Sequence, residues 1–244
     1  MLLREKDRHK RFGLWVFRLS DCCMYKSIQK TLLPRIAAPL VDWFYLDAIE
    51  GQEQLPRTGP FILAGNHVSV PDAWLLMNFF VRHRAEELWF ISRDDIWWGR
   101  RWTKLVVPSF GSLLVDWRKP SAVLEQALGV LRKKWVVGIF PEATRNTDPD
   151  VLCLGKTGAV RLALASGAPI VPFGYVGPTI ATPWDVVREF GLRRNCSRIV
   201  FGKPIDYSAY QEKNITRELL YDLTDGLMTR IGKLCAKQPR LHRR

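Results

Sequence analysis

One stretch of this sequence gathers a base, an acid and a turn within a few residues: Phe61-Ile62-Leu63-Ala64-Gly65-Asn66-His67-Val68-Ser69-Val70-Pro71-Asp72-Ala73-Trp74. Its first four residues make an apolar run suited to a buried strand, Gly65-Asn66 breaks that run, and Pro71 with Asp72 opens a helix. His67 therefore falls where the strand ends. On a continuous helix an offset of five residues would turn the His67 and Asp72 side chains about 140° apart, and they would never meet. With His67 in the turn and Asp72 in the first helical turn, the chain doubles back and the carboxylate reaches one ring nitrogen. The other nitrogen is left to take a proton. A carboxylate placed this way fixes the tautomer and stabilises the imidazolium, which is how a histidine becomes a general base. The same residues also fit a capping box with Ser69 as N-cap, and in that reading Asp72 is structural.

A second strand end carries charge. Phe140-Pro141-Glu142-Ala143-Thr144-Arg145 follows the apolar run Trp135 to Ile139. An arginine three residues after a glutamate, just past a buried strand, can fork a phosphate while the carboxylate orients it or the substrate. The alternative is a solvated ion pair on a surface turn. A third cluster, Phe110 to Lys119, is an apolar run ending in Arg118 and Lys119, and Arg118 is a candidate phosphate ligand. Gly155-Lys156-Thr157-Gly158 resembles the end of a P-loop. The first glycine of that motif would fall at Asp150, which rules the motif out.

These residues need a scaffold that brings strand ends together. Strand candidates are Phe61–Ala64, Leu88–Ile91, Trp135–Phe140, Ile170–Tyr175 and Arg198–Phe201; helix candidates are Ala73–Arg82, about Arg101–Val107, Ser121–Lys134, Lys156–Ser166 and a last amphipathic helix after Thr216. The alternation predicts an α/β fold, a mixed and largely parallel sheet flanked by helices. In such sheets ligands bind beyond the carboxyl ends of the strands, where His67 and Glu142 both fall. Two parts are expected: residues 1–50, a basic end leading into helices at a membrane interface, and residues 51–244, the α/β domain.

The chain has 37 Lys and Arg against 24 Asp and Glu, a net charge of +13, which points to an anionic partner. Trp89, Trp97, Trp98 and Trp102 lie among Arg93, Arg100, Arg101 and Lys104, a pattern suited to anionic headgroups or, for some rings, to ordinary core packing. Phe12 to Leu46 is apolar only in pieces, and no run approaches the length that spans a bilayer. The five cysteines show no metal-ligand spacing and read as reduced thiols, so no metal is expected. No secretory leader is visible, so the chain is expected to stay in the cytosol.

Taken in order, Asn66-His67-Val68-Ser69 with Asp72, then Gly111 to Arg118, then Phe140 to Arg145, then Ile170-Val171-Pro172-Phe173 resemble the four blocks of the glycerolipid acyltransferases, typified by 1-acylglycerol-3-phosphate acyltransferase. Two departures stand out. The third block is usually Phe-Pro-Glu-Gly-Thr-Arg, and Ala143 replaces the glycine, a change tolerated unless φ > 0 is required there. The second block usually has its arginine six residues after the glycine, whereas Arg118 is seven after Gly111.

The resemblance implies that His67, oriented by Asp72, deprotonates a free hydroxyl of a glycerol-phosphate acceptor, which attacks the thioester of acyl-CoA or acyl-carrier protein without an acyl-enzyme. It gives Arg118, Glu142, Thr144 and Arg145 the acceptor's phosphate and glycerol. No cofactor is implied beyond that acyl donor, the acceptor is of the lysophosphatidic acid type, and the enzyme sits peripherally or monotopically at the cytoplasmic face of a membrane, against anionic lipids. Another lysophospholipid or a glycolipid is the alternative acceptor. The alternatives of another class are a non-catalytic membrane-surface protein or a nucleic-acid-binding one. No basic recognition helix or stacking platform is visible for the latter, and no nucleic-acid partner is expected.

Overall fold

The structure, a computed structural model, describes residues 38–69, 72–84, 86–93, 111–115, 120–179, 185, 196–211 and 214–242. Arg118, the Arg101–Val107 helix, Trp97, Trp98, Trp102 and nearly all of the proposed interfacial segment lie outside these residues.

The order is α1 (Ala38–Tyr45), β1 (Leu46–Glu50), β2 (Phe61–Gly65), α2 (Asp72–His83), β3 (Leu88–Arg93), β4 (Ser112–Val115), α3 (Pro120–Arg132), β5 (Val136–Ile139), β6 (Val151–Leu152), α4 (Gly158–Ser166), β7 (Ile170–Val176), β8 (Ser197–Phe201), α5 (Arg217–Cys235) and β9 (Gln238–Pro239). Seven strands form one sheet in the order β1-β8-β7-β2-β5-β3-β4, and β6 pairs with β9 apart from it. From β7 to β4 all neighbours run parallel; β8 is antiparallel to β7 and parallel to β1, so the sheet is mixed and largely parallel. It starts at Leu46, inside the segment that the sequence reading set apart as residues 1–50.

β2 sits at the centre, and its residues Phe61 to Gly65 are all buried because helices cover both faces. Phe61 and Leu63 point to the face covered by Leu75, Leu76, Phe79 and Phe80 of α2, with Tyr45 of α1 beside them. Ile62 and Ala64 point to the opposite face, filled by Ala127, Val130 and Leu131 of α3, Ala159, Val160 and Ala163 of α4, and Leu227, Met228 and Ile231 of α5. Trp89 belongs to this second core, 2% exposed and stacked on Trp135, and not to a headgroup-facing cluster.

Two register facts place the site. β2 and β5 are parallel neighbours with Ala64 opposite Ile139, so the chain leaves both strands side by side. At the last residue of β2, a Cβ on Gly65 would stand 2.4 Å from the Phe173 ring of β7. A side chain there would have to displace that ring, and the strand ends at this residue, where the sequence marked the break.

Candidate active site

The site is built on the carboxyl ends of β2 and β5. Asn66 follows β2 and is fully buried, its Nδ2 donating to the carbonyl oxygen of Tyr175 at 2.9 Å and its Oδ1 accepting from the Tyr175 N–H at 2.7 Å. His67 comes next. Its backbone N–H donates to Glu142 Oε1 at 3.2 Å, and its carbonyl accepts from the Asn146 N–H at 2.7 Å. The turn after β5 thus grips both polar backbone atoms of the histidine.

The ring is held from two further directions. Nδ1 lies 2.8 Å from Asp72 Oδ2 and 3.1 Å from Oδ1. The ring plane stacks on Phe140 at 4.1 Å between centroids and 14° between planes, and Phe140 stacks in turn on Phe90 at 5.2 Å. The His67 side chain keeps 23% of its surface, and among the described residues its Nε2 has no hydrogen-bond partner. Nδ1 facing a carboxylate carries the proton, which leaves Nε2 as the ring nitrogen with a lone pair.

Asp72 is fully buried and does both tasks that the sequence left open. Besides the ring nitrogen, Oδ2 accepts from Val68 N–H at 3.0 Å and Ser69 N–H at 3.1 Å, and Oδ1 accepts from Ala73 N–H at 2.6 Å. The bonds back to Val68 and Ser69 close the turn that leads into α2, whose first residue is Asp72 itself, so the same carboxylate holds the turn and orients the imidazole. Four donors around one anion make it a rigid anchor. The Tyr175 hydroxyl, 2.8 Å from Ser197 Oγ, lies in this buried region, and burial pushes that phenol well above its ordinary range.

The second strand end divides its residues by exposure. Glu142 is 2% exposed; besides the His67 N–H, its Oε2 accepts from the Asn146 amide at 2.9 Å and from Cys153 N–H at 2.7 Å. Its carboxylate is occupied within the fold. Thr144 and Arg145 are exposed on the same turn. Ala143, which joins buried Glu142 to exposed Thr144, has φ 56°, in the left-handed region, so the position is one where φ > 0 is required. Pro141 O accepts from Lys156 N–H at 2.8 Å, closing the loop that leads to α4.

The structure therefore brings five of the six candidate residues to one turn pair. His67, Asp72 and Glu142 are linked by hydrogen bonds, Thr144 and Arg145 lie beside them, and Arg118 is outside the described residues. The sequence reading assigned nothing to Asn66, Phe140 or Asn146. For Asn66 a signal existed, since a polar residue ending a wholly apolar strand must find partners. Among the described residues no group of His, Cys, Asp and Glu is placed to hold a metal.

A sequence model of the Acyltransferase family matches residues 48–176, more than half of the chain. This protein belongs to the acyltransferase family. The matched span contains both strand ends of the site. The 1-acyl-sn-glycerol-3-phosphate acyltransferase of Bacillus subtilis is 23% identical over 76% of this chain and 86% of its own length. The enzyme of that name from Borreliella burgdorferi is 27% identical over 51% of this chain and 48% of its own, and a chloroplastic one from Brassica napus 28% over 66% and 46%. A crystal structure of the 1-acyl-sn-glycerophosphate acyltransferase PlsC from Thermotoga maritima superposes with a TM-score of 0.54 over 91% of this chain and 88% of that one, at 18% identity. At that identity the superposition establishes a common fold. The acyltransferase family expected from the sequence blocks and the α/β architecture expected from the alternation of strands and helices are thus both found.

Proposed function

We propose that this acyltransferase moves a fatty acyl group from acyl-CoA or acyl-carrier protein to the free hydroxyl of 1-acylglycerol-3-phosphate, giving phosphatidic acid. The observation that carries the reading is the partly exposed His67 ring, held by Asp72 at Nδ1 and by Phe140 on its face, which leaves Nε2 as the nitrogen able to take a proton. Nε2 takes the proton of the acceptor hydroxyl as its oxygen attacks the thioester carbonyl carbon. The tetrahedral intermediate collapses, the carbon–sulfur bond breaks, and the imidazolium returns its proton to the leaving thiolate. Asp72 stays ionised and stabilises the imidazolium between these steps. The exposed Arg145 and Thr144, with Arg118, take the acceptor's phosphate and glycerol. Glu142, buried and fully engaged, contributes by holding the His67 peptide. The names of the Bacillus, Borreliella and Brassica relatives agree with this acceptor.

The acceptor lies in a bilayer, so the enzyme docks peripherally at the cytoplasmic face. The charge of +13 and Trp43 of α1, which is 59% exposed, support that placement. Among the described residues no helix is long and apolar enough to cross a membrane.

The deciding experiment offers purified protein radiolabelled acyl-CoA and acyl-carrier protein against a panel of lysophosphatidic acid, glycerol-3-phosphate, other lysophospholipids and a glycolipid. Label should appear in phosphatidic acid above all other products. Preference for an acceptor without phosphate would overturn the substrate assignment, and no labelled product with any pair would overturn the reading.

A further inference from the structure

The residues after α5 cap the helix and then make further connections that capping does not require. Ala236 adopts φ 57° and Lys237 N–H donates to Gly232 O at 2.9 Å, so the chain turns back over the last turn of the helix. It crosses at Gly232, where a Cβ would stand 2.4 Å from the Lys237 carbonyl oxygen. The crossing lays β9 alongside β6, with Gln238 N–H donating to Asp150 O at 2.7 Å and the Lys237 ammonium to Asp148 O. The far end is pinned. His242 N–H donates to the Asp225 carboxylate at 3.1 Å, Nδ1 lies 2.7 Å from Asp225 Oδ1, and the ring stacks on Tyr221 at 4.0 Å.

β6 is also where the catalytic turn is tied down. Val151 O accepts from the Asn146 amide at 2.7 Å, and Cys153 N–H donates to Glu142 at 2.7 Å. Asn146 and Glu142 then hold the carbonyl and the N–H of His67. A pair of two-residue strands has almost no stability of its own and depends on what flanks it. We propose that residues 237–242 form a positioning strap for His67, holding β6 where Glu142 and Asn146 can fix the histidine peptide, with His242–Asp225 as its lock. The coupling is a property of the fold, and only its kinetic consequence rests on the acyl-transfer reading.

Three variants of the full chain test it. Gln238→Pro deletes the N–H that reaches Asp150, His242→Ala removes the lock, and His242→Asn retains a donor near the Nδ1 position. Thr216→Ala, which removes the N-cap of α5 at the other end of that helix, controls for general destabilisation. Amide hydrogen exchange at His67 and Asn146 should rise about fivefold or more in Gln238→Pro and His242→Ala, and stay near wild type in His242→Asn and Thr216→Ala. Turnover should fall about 5- to 20-fold in the first two with the acceptor KM within about twofold, because a displaced base slows chemistry without removing a binding contact. Folded Gln238→Pro protein in which exchange rises at 150–153 but not at His67 and Asn146 would overturn the strap, as would wild-type turnover in that variant. If wild-type protein transfers no acyl group, the proposed function fails while the exchange comparison still decides the strap.

Discussion

The side chain of Asn66 stands in for backbone beside Tyr175, giving it a donor at 2.9 Å and an acceptor at 2.7 Å. The β2–β7 ladder ends at Gly65 opposite Phe173, so without this amide the buried N–H and carbonyl of Tyr175 would face no partner when the chain departs toward His67. Asn66→Ala should therefore lower stability by about 2–4 kcal/mol, the cost of two buried polar groups left unmatched. Urea titration measures it, and an unchanged midpoint would show that the ladder closes some other way.

His67→Ala should reduce turnover by about 10²- to 10⁴-fold in a protein that still melts cooperatively, since the ring is a partly exposed cap on Phe140. Asp72→Asn should slow turnover less and, unlike His67→Ala, destabilise the fold by about 1–3 kcal/mol. Whichever way the amide turns, its NH₂ meets donors: His67 Nδ1, Val68 and Ser69 on one side, Ala73 on the other. Wild-type turnover in folded His67→Ala would remove the base from the mechanism.

Arg145 and Glu142 sit three residues apart and should fail differently. Exposed Arg145, changed to Ala, should raise the acceptor KM more than it lowers kcat, because a ground-state contact to phosphate is lost. Glu142→Gln should instead lower kcat with little change in KM, since its NH₂ must face the N–H of His67 or those of Asn146 and Cys153. A KM effect at Glu142 matching that at Arg145 would return the carboxylate to the substrate.

The parts legible in the sequence are those with a local cause. Phe61 to Ala64 reads as a buried strand and Ser121 onward as an amphipathic helix because periodicity and burial act over a few residues. β1 escaped notice because Leu46-Asp47-Ala48-Ile49-Glu50 carries two acids, tolerated at a sheet edge beside β8, which lies far along the chain. β6 and β9, two residues each, are too short to carry a pattern. In the site, the His67–Asp72 contact was legible since one turn makes it. The use of Glu142 was not, because its donors come from residues 67, 146 and 153, and only the β2–β5 register brings them together.

Buried acids should make the fold sensitive to alkali. Burial raises the Tyr207 phenol from 10.0 to about 12 and the Cys235 thiol from 9.0 to about 11. Between the ordinary and the raised values the unfolded chain has lost protons that the folded chain keeps. Stability from these groups is thus complete below pH about 9 and declines as pH rises through about 11 and 12. Urea midpoints should fall from pH about 9 upward, and Tyr207→Phe should flatten the part of the fall above pH about 10. A variant with the same slope as wild type would assign the loss to other groups.

Ala143, like Lys134 and Ala236 among the described residues, carries left-handed backbone strain that a glycine would not. Its φ of 56° lies in the left-handed region, where a Cβ crowds the following carbonyl at about 1–2 kcal/mol. The conformation is imposed by the turn, since Ala143 N–H donates to Phe140 O at 2.9 Å while Glu142 is buried and Thr144 and Arg145 are exposed on either side of it. Ala143→Gly relieves the crowding but also loosens the unfolded chain, which returns part of the gain. The net expectation is a stabilisation of about 0.5–1 kcal/mol, seen as a higher urea midpoint with an unchanged slope. Turnover should stay within about twofold, because the contacts of Glu142 and Asn146 to His67 use no atom of the Ala143 side chain. A lower midpoint in Ala143→Gly would mean that the methyl group makes packing contacts in the turn worth more than the strain it causes.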